Sequence, residues 1–80
     1  MTNQTCLKAI DLALDGKWDE AHKIVQELSS SPAQWIHAVL HKIEGDESNS
    51  RYWYSRSSIE VYESYLDSTQ ELKAIKKLLI

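Results

Sequence analysis

Two histidines one helical turn apart are the residues of this chain whose types and spacing could do chemistry. His37 and His41 lie in the segment WIHAVLHKIEGD, and Glu44 follows one turn after His41. On a helix, this i, i+4 spacing lets two imidazoles reach one ion, and a carboxylate one turn further along can add an oxygen ligand. The same side chains could also transfer a proton, because histidine titrates near neutral pH.

A helical wheel favours a simpler interpretation of this pair. At ~100° per residue the apolar stripe of the segment is centred on Val39 and Ile43, and both histidines lie ~120–160° from that centre. We therefore expect His37 and His41 to be solvated or to make ordinary hydrogen bonds to neighbouring helices. A metal site and proton-transfer catalysis are the alternatives, although neither a Gly-rich phosphate loop nor an HExxH sequence accompanies the pair.

His22 is the third histidine that could join the pair. If its helix and the next form a hairpin that turns near Ser30, His22 lies opposite Ala38, between His37 and His41 in height. Three histidines that converge would suit zinc or another late divalent metal. His22 flanks its own apolar stripe, whereas the other two lie away from theirs, so the sequence leaves open whether the rings point together.

The elements that position these residues are predicted to be helices. Apolar residues recur at spacings of three and four, and no strand-like alternation persists. The pattern predicts an all-α fold with helices over roughly 4–15, 18–29 and 69–79. A third helix starts at Pro32 and is closed by Gly45, and a fourth begins near 46–48 and runs through NSRYWYSR. The segment SIEVYESYLD (58–67) is also predicted as helix. Gly16 and Gly45 can take the left-handed conformation that ends a helix. Capping boxes are predicted at three pairs: Ser31 with Gln34, Ser57 with Glu60, and Ser68 with Glu71.

An internal repeat relates the two halves of the chain. A shift that aligns Gly16 with Gly45 also aligns apolar positions on either side, and each copy is a helix, a Gly turn and a second helix. These copies resemble tetratricopeptide-type repeats, with Ala21 and Ser50 as the small residue that lets two helices approach. The resemblance implies a single domain of two stacked antiparallel helical hairpins (about 4–29 and 32–57) with a C-terminal helical cap (58–80), and it implies protein or peptide binding.

A second resemblance covers about a quarter of the chain. The stretch WIHAxLHxxEGDxxNxxYWYxR is similar to a segment of small bacterial proteins whose activity is uncharacterised. It carries no known activity with it.

The aromatic run RYWYSR is the other unusual stretch. Tyr52, Trp53 and Tyr54 span ~200° of a helix, so one apolar face cannot bury all three. Arg51 and Arg56 flank them, and arginine with aromatic side chains is typical of interface hot spots. The aromatic rings either pack between the third helix and the C-terminal helices or face a partner. If the chain binds a protein, we expect these five residues to be its anchors.

Composition limits the class of partner. The net charge of −3 argues against nucleic-acid binding, and no stretch is long and apolar enough to cross a bilayer. Cys6 is the only cysteine, which excludes an internal disulfide and predicts a reducing, cytoplasmic location. The tail ELKAIKKLLI has one apolar and one lysine-rich face, so it either closes its own domain or docks on an anionic membrane or in a partner's groove.

The sequence as a whole predicts a helical protein-interaction module. It would bind a protein partner or itself, with no cofactor and no catalytic residue. The alternative is a small metal-binding or hydrolytic protein that uses His37, His41 and Glu44, with His22 as a further ligand and zinc or another divalent metal as the ion.

Overall fold

A computed structural model describes residues 2–80, and over that range the fold is all-α, as the sequence predicts. The elements are α1 (Thr2–Leu14), α2 (Trp18–Val25), α3 (Ser31–Ile43), α4 (Glu47–Ser57), a 3-10 turn (Tyr62–Ser64) and α5 (Ser68–Leu79). None of the helices described within 2–80 is both long enough and apolar enough to cross a membrane.

The two predicted glycine turns have the same geometry. Gly16 and Gly45 have φ values of 80° and 85°, in the left-handed region that glycine adopts without strain. After each of them, one backbone N–H reaches back across the helix end, from Lys17 to the Leu12 carbonyl at 2.8 Å and from Asp46 to the His41 carbonyl at 2.9 Å. The turns connect α1 to α2 and α3 to α4, and each pair of helices packs together.

Helix α3 lies at the centre of the molecule. It contacts α1, α2, α4 and α5, and every residue from 33 to 41 is buried. The C-terminal helix α5 packs on α1 and α3 through Leu72 and Ile75, so it closes its own domain. The remaining buried apolar side chains of α1, α2 and α4 are Cys6, Ala9, Ile10, Ala21, Val25 and Tyr54.

The prediction of a helix over SIEVYESYLD is wrong. Ser58 ends α4 in the left-handed conformation with φ of 64°, and only the three-residue 3-10 turn follows before α5. Two carbonyl oxygens of this connection, those of Tyr62 and Tyr65, accept hydrogen bonds from Lys42 Nζ at 3.0 and 3.3 Å. The connection therefore bonds to α3 as well as to itself, where the Ser64 N–H donates to the Val61 carbonyl at 3.1 Å.

The predicted capping boxes are also corrected. Helix α3 is capped by Ser30, whose Oγ accepts from the Ala33 N–H, and not by Ser31. Ser57 lies buried inside α4, where its hydroxyl donates to the carbonyl of Ser31 at 2.8 Å. The capping patterns had predicted caps at Ser31 and Ser57, whereas the observed bonds are made by Ser30 at the start of α3 and by Ser57 to the neighbouring helix.

The third predicted capping box is replaced by a buried charge network. Asp67 caps α5, and Glu71 is fully buried between three helices. Its carboxylate accepts from Trp35 Nε1 at 2.8 Å, from Lys42 Nζ at 2.9 Å and from the hydroxyl of Tyr54. A buried carboxylate is tolerated only when it is paired and hydrogen-bonded, so this set of partners links α3, α4 and α5.

Replacement of Glu71 by alanine should destabilise the fold strongly. Glu71→Ala removes the carboxylate paired with the Lys42 ammonium and the acceptor of the Trp35 and Tyr54 donors, which costs on the order of 3–5 kcal/mol. Urea denaturation measures the loss. Glu63→Ala is the matched control, because Glu63 is an exposed carboxylate paired with Arg51 on the surface and its loss should cost far less stability. Equal losses in the two variants would contradict the assignment of Glu71 as the central buried acceptor.

Candidate metal centre

Three histidine rings from two helices converge at one point. His22 projects from α2, His37 and His41 project from α3, and one ring nitrogen of each lies within 4.8 Å of the others. The ring centroids are 4.7 Å apart for His22 and His37, 5.4 Å for His22 and His41, and 5.0 Å for His37 and His41. Three imidazoles bound to one tetrahedral zinc ion have centroids about 5 Å apart, so the observed centroid spacings are compatible with one shared ion.

Of the two environments expected for His37 and His41, solvent or ordinary hydrogen bonds to neighbouring helices, the structure contradicts the first. The two residues are only 5% and 8% exposed, and His22 is partly buried. A helical wheel with a single apolar stripe predicts that α3 has one buried face and one solvent-exposed face. Because α3 is central, α2 and α4 cover the face opposite its apolar stripe and enclose the two histidines there.

Two tryptophan rings pack against the histidine cluster. Trp18, one turn before His22 on α2, stacks on it at 4.8 Å with an interplanar angle of 9°, and Trp53 of α4 stacks on His37 at 4.0 Å and 13°. The indole N–H of Trp18 donates to the Leu40 carbonyl at 2.6 Å, which ties α2 to α3 beside the cluster. These contacts restrict how the imidazoles can turn.

Glu44 holds one of the three rings in place. Its carboxylate accepts a hydrogen bond from His41 Nδ1 at 2.5 Å. That bond keeps the proton of a neutral imidazole on Nδ1 and leaves the Nε2 lone pair free. The same arrangement, a carboxylate behind a histidine, orients ligands in many metal sites.

The environment of His22 and His37 favours the neutral form of their imidazoles. Burial, together with the neighbouring rings of His22 and His41, lowers the pKa of His37 to about 4. Burial and then His41 also lower the pKa of His22, against the opposing effects of Glu44 and Asp19. A neutral histidine offers a lone pair to a metal without first losing a proton, so at neutral pH these two histidines can bind an ion.

The five predicted anchor residues of the RYWYSR run have different environments in the structure. Tyr54 is buried, and burial and then the Glu71 carboxylate raise its pKa above the ordinary value, so its hydroxyl stays a neutral donor. Trp53 is partly buried against His37, whereas Tyr52 is 50% exposed. Arg51 pairs with two carboxylates of the surface, and the exposed Arg56 lies beside the ring of Tyr52.

Sequence reasoning did not identify several residues that shape these sites. The roles of Trp18, Lys42 and Glu71 were missed, and Trp53 was assigned only to the aromatic run. The i, i+4 spacing of Trp18 and His22 is a local signal that could have been used. Lys42 and Glu71 are far apart in the sequence, and no local pattern indicates that they meet.

No protein-family model, curated protein or solved structure matches this chain. The tetratricopeptide resemblance and the resemblance to small bacterial proteins therefore stay predictions. The function of this protein is therefore inferred from the geometry of the described residues.

The low pKa of His37 makes the metal-free protein sensitive to mild acid. The unfolded chain takes up a proton on this histidine below pH ~6.5, whereas the folded chain does so only near pH 4, so stability falls as the pH drops through that interval. Between pH 6.5 and 5 we expect a loss of up to about 2 kcal/mol, measured by urea denaturation.

The control for this pH dependence is His37→Gln, which cannot titrate and should lose less stability over the same interval. Nuclear magnetic resonance of the ring nitrogens follows His37 directly. A His37 that titrates near ~6.5 in the folded protein would show that its ring is not enclosed as described.

Proposed function

We propose that this protein binds a late first-row divalent metal, with zinc as the expected ion, through His22, His37 and His41. The observation that carries the proposal is the convergence of three ring nitrogens within 4.8 Å of one another. Imidazole nitrogen is a preferred ligand of zinc and of the neighbouring metals copper and nickel.

Three features distinguish this cluster from ordinary packing of histidines. The ligands come from two helices rather than from an isolated i, i+4 pair, and every histidine of the chain belongs to the cluster. The Glu44 carboxylate already occupies the position of the carboxylates that hydrogen-bond to the far nitrogen of a metal-bound histidine. Neutral imidazoles gathered in one place gain more from a shared cation than from one another.

The small size of the protein gives such an ion a physical role. A domain of 80 residues buries a modest core, and small domains commonly add a metal or another cross-link. Helix α2 has only eight residues, and an ion shared by His22, His37 and His41 would join it to the central helix. Metal binding would then stabilise the folded state by mass action.

Zinc should bind with a stoichiometry of one per chain and raise the melting temperature. At a free zinc concentration of about 100 times Kd the gain is about 2.7 kcal/mol, which corresponds to a rise of roughly 10 °C or more in a protein of this size. Titration calorimetry gives the stoichiometry, and thermal unfolding with and without zinc gives the shift. Manganese should bind more weakly than zinc or nickel.

His22→Gln is the decisive variant for this proposal. His22 is only partly buried, so its replacement should preserve the fold while it removes one ligand. The matched control is Lys23→Gln, an exposed change on the same helix that should bind zinc as the native chain does. Zinc binding that is absent from the native chain, or equal in both variants, would refute the three-histidine site.

Protein interaction, predicted from the aromatic run, is the second proposed function. A surface groove of about 410 Å³ lies between α4 and residues 59–63, and the apolar side chains of Ile59 and Val61 line it with 40% and 57% exposure. Both charge signs are present, because Arg51, Glu60 and Glu63 also line the groove. A surface that carries both signs can be complementary to itself, so a second copy of this chain is the expected partner.

Self-association should give a molecular mass that increases with concentration in sedimentation experiments. Val61→Asp adds a charge to the apolar part of the groove and should shift the protein to monomer, because a desolvated carboxylate at an interface is costly. Leu78→Asp, which changes another exposed apolar residue far along the chain, is the control and should leave the mass unchanged. A native chain that stays monomeric at all concentrations would rule out the second copy.

The predicted cytoplasmic location belongs with these proposals. Cys6 is a buried free thiol, and burial raises its pKa, so the thiol is uncharged and protected from reaction. A chain with one unreactive cysteine needs no oxidising compartment to fold, which supports the expectation of a reducing environment.

A further inference from the structure

The three-histidine cluster supplies one ligand fewer than a closed zinc site. Structural zinc sites have four protein ligands, whereas sites that act on other molecules have three and keep the fourth position for water or substrate. Within residues 2–80, the group of potential ligands around this point comprises His22, His37 and His41 and no fourth side chain. What occupies the remaining position therefore decides what the metal can do.

Glu44 is the obvious candidate for a fourth ligand, but its carboxylate lies on the other side of the His41 ring. It lies 2.5 Å from Nδ1, and in a neutral ring that donates from Nδ1 the free lone pair is on Nε2. An ion bound to Nε2 would lie about 6 Å from an oxygen held at Nδ1, and a zinc–oxygen bond needs about 2.0–2.2 Å. Glu44 cannot keep this hydrogen bond and bind the same ion.

Asp46 is the other acidic residue close to His41 and Glu44, and it already has a role in the fold. Its side chain caps α4, where it accepts from the backbone N–H of Asn49 at 3.3 Å. The Asn49 side-chain amide and the Ser48 hydroxyl donate to it as well. To become a metal ligand, Asp46 would have to give up the cap of α4.

We infer that the metal centre is open: Glu44 positions His41, and the fourth coordination position takes water or a small monodentate anion. This inference rests on the proposed function, because it concerns the ion held by the three histidines. Three neutral imidazole ligands leave the double positive charge of the ion uncompensated, which favours hydroxide, azide or a carboxylate as the fourth ligand. A water bound there releases its proton to solvent more readily than bulk water does.

Solvent has an edge from which to reach this position. His22 is only partly buried, and the side chain of Glu44 is 39% exposed, whereas His37 and His41 are enclosed. Trp18 and Trp53 stack on the outer faces of His22 and His37 and restrict the approach from those directions. Small ligands would enter along the edge that His22 and Glu44 share.

Cobalt substitution tests the inference, because Co²⁺ binds the same ligand types as zinc and its visible absorption reports its coordination. The full-length chain is loaded with one equivalent of Co²⁺ and titrated with sodium azide. An open site should give a saturable change in the cobalt bands as azide enters the fourth position. Cobalt bands that appear on loading but do not respond to azide would overturn the inference and leave the proposed metal binding intact.

The variant Glu44→Gln separates a positioning role from a ligand role. Glutamine can still accept from His41 Nδ1 through its amide oxygen but lacks the charge, so metal affinity should fall about 10–100-fold while the azide response persists. If Glu44 were the fourth ligand, azide would change the spectrum of the variant and not that of the native chain. Absence of Co²⁺ binding in the native chain would remove the proposed function and this inference with it.

Discussion

The burial of α3 on all sides is the constraint on which the rest of the structure depends. A helix with neighbours on every face cannot leave its polar side chains in water, yet α3 carries Trp35, Lys42 and two histidines. A polar atom that loses all contact with water must then find a partner within the protein, since an unpaired buried polar group costs free energy. Among the described residues, every buried side-chain nitrogen and oxygen has such a partner. The positions of the surrounding helices follow from this requirement.

The partners of α3 form two networks with different chemical capacity. Around Glu71 the donors and acceptors are matched, because one carboxylate receives bonds from Lys42, Trp35 and Tyr54. That network is saturated and holds α3, α4 and α5 together. Around His22, His37 and His41 the rings stack on tryptophans and on one another, and neutral imidazoles keep lone pairs that stacking does not use. Because of these unused lone pairs, we place the proposed metal at the three histidines and not at Glu71.

Local sequence predicts some features of these two networks and does not predict others. The turns at Gly16 and Gly45, the helical character of five segments and the level of His22 relative to Ala38 all come from short-range pattern and length. The burial of His37 does not, because hydrophobic periodicity describes one face of a helix and α3 has neighbours on every face. The protein-binding anchors divide for a related reason: Tyr54 turns inward to Glu71 while Tyr52 stays exposed.

The sequence by itself determined the five segments that become helices and the two glycine turns, because those properties depend on residues within a few positions of one another. Only the tertiary structure decided which polar residues meet. Glu71 satisfies a capping-box pattern and yet serves as the buried acceptor of Lys42, and SIEVYESYLD has a helical face and yet gives its carbonyls to the same lysine. The burial of Glu71 and the non-helical backbone of SIEVYESYLD both follow from the free energy of pairing the Lys42 charge in the core. Residues distant along the chain determine that free energy.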